Sequence, residues 1–245
     1  METRAGKRPG GYCTYLQKYH APFIFSNFNG TSADVDVLTH EAGHAFAAYE
    51  SGKEGIQGDY IFPNNEVAEI HSMSMELITY PWMESFFGEK SELYKKAHLS
   101  AAVTCIPYLV CVDDFQHRVY EEKLTDAGAR RQVWRELEQE YMPWRNYDGH
   151  AFLEEGGFWM QKQHIFMFPF YYIEYALAQM GAFEFYGKFR KDRESAWKDY
   201  YRLCCLGGSL GYFHLLEEAH LGNPFADGTI EIIMTEVKQA LEEMK

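Results

Sequence analysis

Cysteine is scarce in this sequence. The five present (Cys13, Cys105, Cys111, Cys204 and Cys205) form no C-x-x-C pair. An odd number at such spacings argues against a disulfide framework and against a cysteine metal site. They read as reduced, mostly buried thiols of a cytoplasmic protein. Positive charge is also in deficit: 23 Lys and Arg stand against 36 Asp and Glu, for a net charge of −13. Such a surface repels phosphate backbones, which sets nucleic acid aside as a partner. Long apolar runs are missing. The longest, residues 101–112, is too short for a bilayer and contains Pro107, so no membrane role is expected. Residues 1–11 are basic and glycine-rich with no apolar stretch behind them, which does not fit a signal peptide. No internal repeat and no linker rich in Pro, Gly and Ser interrupts the chain. It is therefore expected to be one domain over residues 1–245.

What is present is an aromatic-rich folding sequence, 47% hydrophobic and 17% aromatic. Residues 10–15 and 22–28 predict two short strands between turn signals. A turn at Asn29-Gly30-Thr31-Ser32 leads to a predicted helix over 35–51, capped by Ser32 or Asp34 and stopped by Gly52. Its apolar stripe is Val35, Leu38, Ala42, Ala45 and Phe46. A second helix runs from Asn64 or Asn65 to about Tyr80. Further helical patterns cover 91–122, with a bend expected at Pro107, then 126–141, 157–167, 170–190, 193–205, 209–220 and 229–244. The expected fold is mostly α with a small N-terminal β element.

The first of these helices carries His40-Glu41-Ala42-Gly43-His44, an H-E-x-x-H pattern. Residues four apart share a helix face, so both imidazoles can meet one cation. Glu41 then stands beside the place of a zinc-held water, where it can act as base. Two imidazoles and a carboxylate beside an apolar helix face would be costly to bury without a partner. Ala42 and Gly43 leave room for another backbone beside the histidines. A catalytic zinc needs a third protein ligand and a vacancy for water. Glu50 and Glu54 lie too close along the chain to return easily to the same ion. The second helix offers Glu66, Glu69 and Glu76, and chemistry alone leaves these three open.

Longer stretches carry a resemblance. These are Gly6-Lys7-Arg8-Pro9-Gly10-Gly11-Tyr12, Pro22-Phe23-Ile24-Phe25-Ser26-Asn27-Phe28, and residues 36–46 around the motif. Val67-Ala68-Glu69-Ile70-His71-Ser72-Met73-Ser74-Met75-Glu76 follows, then His164-Ile165-Phe166 and Phe170-Tyr171-Tyr172-Ile173-Glu174-Tyr175. In this order they resemble the oligoendopeptidase F and thimet oligopeptidase family of zinc metallopeptidases over about residues 5–180. The resemblance implies a helical, zincin-like catalytic domain. It implies that Glu69, 25 residues beyond His44 in an E-x-x-S segment, is the third ligand, with Glu66 as the fallback. Glu76 becomes an acceptor that orients a ligand, or else a buried structural pair. His164, Tyr172 and Tyr175 map onto residues that stabilise the oxyanion, against a plain reading as an aromatic core stripe that Phe168, Phe170 and Tyr171 would share equally.

The expected function is thus a cytoplasmic zinc metalloendopeptidase that cleaves oligopeptides. One zinc is held by His40, His44 and Glu69, and Glu41 is the general base. The family's members are far longer, so a more open cleft and a possible homodimer are expected. The competing reading is a zinc-binding module that needs a partner to cleave. The remaining histidines (His20, His71, His98, His117, His150, His214 and His220) lack ligand spacing and read as surface or core residues. Met73 and Met75 read as packing.

Overall fold

The computed structural model describes residues 2–244. The chain forms two compact units, Met1–Leu99 with Leu177–Lys245, and Ser100–Ala176. The fold is mostly helical, with one small sheet near the N-terminus.

In the first unit, β1 (Tyr12–Leu16) pairs antiparallel with β2 (Ala21–Phe25), Tyr12 opposite Phe25. The turn between them passes through His20 in the left-handed region, at φ 48°. Then come α1 (Ala33–Lys53), α2 (Asn65–Ile78) and the short α3 (Glu84–Phe87). Next, α4 (Ser91–Glu121) runs unbroken through Pro107. Its first turns belong to this unit. The second unit adds α5 (Ala127–Tyr141), α6 (Ala151–Glu154) and α7 (Gln163–Met167). The chain returns to the first unit along α8 (Tyr172–Lys191), followed by α9 (Arg193–Leu206), α10 (Tyr212–Glu218) and α11 (Thr229–Glu243).

Three expectations for α1 need correction. Gly52 does not stop it; the helix ends after Lys53, and Gly55 takes the left-handed conformation at φ 85°. Gly52 is there for space, because a Cβ on it would lie 2.5 Å from the Tyr15 hydroxyl of β1. Nor does the predicted apolar stripe form the buried face. Thr39, Glu41, Gly43, Ala47, Ala48, Glu50 and Ser51 are buried, while Val35, Leu38, Ala42, Ala45 and Phe46 are only half-buried. The reason is that α1 packs against α2, α9, β1 and β2 together, so no single stripe can serve all its neighbours. Of the two proposed caps, neither side chain caps the helix. Asp34 lies inside the first turn, and its carboxylate accepts from the Asn29 and Gly30 amides, holding the entry loop.

The core of the first unit gathers Ala47, Val67, Ile70, Ala178, Phe185, Tyr200, Leu203 and Leu215. Met73 and Met75 pack against its edge, as expected. In the second unit Trp134, Phe115, Leu137 and Trp159 form a separate core. Asp126 caps α5 by accepting from the Ala129 amide at 2.8 Å. The single helix expected over 157–167 is broken into a tight turn at Phe158–Gln161 and α7. The break lets Trp159 enter the core while Phe166 stacks on it at 5.5 Å. Two cysteines, Cys111 and Cys204, are buried; Cys13 and Cys205 are half-buried and Cys105 is exposed. Among the described residues, no helix is long and apolar enough to cross a membrane.

Candidate metal centre

The close approach of α1 and α2 makes the site. A Cβ on Gly43 would lie 2.6 Å from the His71 carbonyl oxygen and the Ser72 Cα. Only glycine permits backbones this near, and the approach brings the Glu69 carboxylate under the two histidines. Glu69 Oε2 lies 3.1 Å from His40 Nε2 and 3.4 Å from His44 Nε2. One donor atom from each of the three falls within 4.8 Å of the others. Of the three carboxylates left open by chemistry, the structure brings Glu69 to the histidine pair; Glu66 and Glu76 are outside this group. Ser72 Oγ donates to Glu69 Oε2 at 3.0 Å and fixes its orientation.

The electrostatics tie the three side chains to one another. Glu69 is buried, which alone would raise its pKa, yet hydrogen bonds and charge from His40 and His44 hold it well below the ordinary carboxylate range. His40 mirrors this: burial opposes its protonation, but Glu69 and Glu76 push it well above the usual imidazole value. Two ring nitrogens and one carboxylate oxygen within 4.8 Å of one another form a donor set suited to zinc. Glu41 does not join them. It is 6% exposed, and its Oε2 has no hydrogen-bond partner among the described residues. Burial raises its pKa, with His40 and His44 opposing and Glu69 and Glu76 reinforcing the rise. A buried carboxylate with an idle oxygen, made more basic by its surroundings, is suited to accept a proton. Gly11 stands beside it; a Cβ there would lie 3.1 Å from Glu41 Oε1.

Behind His40 lies a group that spacing does not reveal. Glu76 Oε1 meets His40 Nδ1 at 2.6 Å, so Glu76 contacts a candidate ligand. Its Oε2 meets His98 Nε2 at 2.8 Å. His98 lacks ligand spacing in the sequence and lies 22 residues beyond Glu76, in α4, so only the packing brings it here. His71, another of the histidines without ligand spacing, is a core residue. Burial, reinforced by nearby His44, pushes its pKa down to about 3, so it is neutral. Glu50 is buried but committed elsewhere, accepting from Lys53 and from Tyr201.

His164, Tyr172 and Tyr175 lie in the second unit and meet one another there. The His164 ring is 5.2 Å from that of Tyr172 and 6.4 Å from that of Tyr175. Tyr171, set aside in the sequence as stripe material, belongs to the same cluster. It stacks on His164 at 5.9 Å, and its hydroxyl donates to Tyr175 at 3.1 Å. Tyr172 also leans on the core through Tyr108, and burial pushes its pKa up to about 12.

Comparison with known proteins gives a family for this arrangement. The model of peptidase family M3 matches residues 1–235. This chain belongs to peptidase family M3. Among solved structures it is similar to a protein provisionally named oligoendopeptidase F, with 52% identity and a TM-score of 0.95 over 99% of this chain and 43% of that one. It is similar to PZ peptidase A with an inhibitor, at 49% identity and TM-score 0.95, covering 99% of this chain and 43% of that one. A provisionally named oligoendopeptidase F from Bacillus anthracis matches at 46% identity and TM-score 0.85, covering 98% and 40%. The chain thus spans about two-fifths of the length of these relatives. No curated protein matches it.

Proposed function

We propose that this M3 chain carries the zinc centre and general base of a metalloendopeptidase that hydrolyses oligopeptides. The observation that carries the reading is that donor atoms of His40, His44 and Glu69 lie within 4.8 Å of one another, with an oxygen of Glu41, between the two histidines in sequence, left without a partner among the described residues. Zinc held by His40 Nε2, His44 Nε2 and Glu69 Oε2 would supply Lewis acidity to a water and to the scissile carbonyl. Glu41 takes the proton of the attacking water and returns it to the leaving amine. Glu76 accepts the Nδ1 proton of His40, which leaves the Nε2 lone pair for the ion. Ser72 holds Glu69 in place.

Following the family resemblance, His164, Tyr172 and Tyr175 donate hydrogen bonds to the oxyanion. Their mutual contacts support a shared role, and Tyr171 joins them as a candidate. The peptide would bind extended along a free edge of the two-stranded sheet. The support is that Gly11, just before β1, stands beside Glu41. That a relative is named a peptidase and was solved with an inhibitor supports a peptide as the substrate.

The test is cleavage of a fluorogenic peptide with and without chelator, beside Glu41→Gln. Turnover should vanish with chelator and return with zinc. Glu41→Gln should lose about 10²–10⁴-fold in kcat, the usual worth of a general base, while still binding zinc. Zinc binding with no turnover by the unmodified chain would favour the partner-dependent module instead.

A further inference from the structure

We propose that His98, backed by Tyr80, is a positioning residue for the metal centre. It holds the far oxygen of Glu76 so that the near one fixes the His40 ring. This rests on the zinc reading above.

The geometry is a chain of short contacts leading away from the ion site. His40 Nδ1 meets Glu76 Oε1 at 2.6 Å, Glu76 Oε2 meets His98 Nε2 at 2.8 Å, and His98 Nδ1 meets the Tyr80 hydroxyl at 2.7 Å. The Tyr80 hydroxyl also has the Lys95 carbonyl at 3.4 Å as an acceptor. An ionised Glu76 can only accept, so both imidazole nitrogens facing it must carry hydrogen. His98 therefore donates from Nε2 in either of its charge states. His40 Nε2 faces Glu69 Oε2 at 3.1 Å; with zinc there, the Nδ1 proton held by Glu76 would leave the Nε2 lone pair for the metal. A single carboxylate thus sets the proton of a ligand on one side and is itself held on the other.

His98 is in turn tightly held. The Tyr94 ring stacks on it at 5.7 Å and 22°, and the Tyr80 ring meets it edge-on at 5.7 Å. Tyr94 is anchored by donating to Asp36 Oδ1 at 2.5 Å. These rings leave His98 little freedom to swing away. Without it, Glu76 would keep one oxygen of a half-buried carboxylate unpaired and could rotate off His40. Outer partners of metal-bound histidines commonly matter about 10–100-fold in metal affinity, which sets the expected size of the effect.

The experiment measures zinc affinity by competition with a chromophoric chelator, for the unmodified protein, His98→Phe, His98→Gln and Tyr80→Phe. Phenylalanine keeps the ring packing and removes the donor; the glutamine amide can still donate. His98→Phe should weaken zinc about 10-fold, within the outer-partner range, and His98→Gln should recover most of it. The same loss should disappear in a Glu76→Leu background, because His98 acts through Glu76. Equal weakening by His98→Phe in both backgrounds, or none in either, overturns the proposal. Should His98→Phe fail to fold, the zinc-loaded unmodified protein decides the matter by nitrogen-15 histidine NMR. His98 must carry its proton on Nε2, and a bare Nε2 overturns the assignment. The zinc reading fails separately, through an unmodified protein that binds no zinc, and the proposal then falls with it.

Discussion

At the residue scale, the centre depends on which carboxylate reaches the histidine pair. Glu66, Glu69 and Glu76 share one helix, but only Glu69 places an oxygen within 3.4 Å of both Nε2 atoms. Glu69→Ala should therefore cost zinc affinity well beyond the about 10–100-fold typical of an outer partner. Glu66→Gln should leave affinity within about two-fold, as expected for a substitution away from the site. Chelator competition on the two variants checks both, and equal losses would return Glu66 to the ligand set. Glu41 is distinguished by the reverse property, a buried oxygen that no described residue satisfies. Its presence in H-E-x-x-H was legible from sequence. Its idle oxygen was not, because that depends on what packs around it.

At the element scale, the decisive contact is between α1 and α2. Gly43 sits against the α2 backbone at a distance no side chain could share. Gly43→Ala gains helix propensity, yet it must force the two backbones apart. Overpacking of this kind costs about 1–3 kcal/mol. The expected outcome is a lower urea midpoint together with weaker zinc binding, since Glu69 moves with α2. A loss of stability with unchanged zinc affinity would show that α2 can shift without moving its carboxylate. A helix end offers a simpler case. Asp192 accepts from the Glu194 and Ser195 amides at 3.1 Å, capping α9. Asp192→Ala should cost about 1 kcal/mol in a denaturant titration, the usual worth of such a cap, with the zinc site intact. The caps at Asp126 and the helices they open could be anticipated from local sequence. The misread Gly52 shows the limit of local reading. A glycine at a helix end signals a stop by propensity, but here it makes room for Tyr15 from a distant strand.

At the scale of the whole molecule, all three candidate ligands belong to one of the two compact units. Zinc binding to the folded state alone should stabilise that unit. At a zinc concentration 100 times Kd the gain is about 2.7 kcal/mol. For a chain of this size that corresponds to a rise of roughly 5–11 °C in melting temperature. Calorimetry with zinc and with chelator should show the shift, and identical traces would count against a metal held by this site. The sequence by itself determined the mostly helical class, the two N-terminal strands and the pairing of His40 with His44. Each of these follows from periodicity along a few consecutive residues. Periodicity and chemistry left Glu69 open beside Glu66 and Glu76; the family resemblance singled it out, and the packing brings it beneath the histidines. Tertiary structure alone decided that Glu76 is shared with His98 and that Gly52 serves space instead of a helix end. Those facts depend on segments that meet only when helices pack, and the meeting is set by atoms tens of residues apart that no local pattern records.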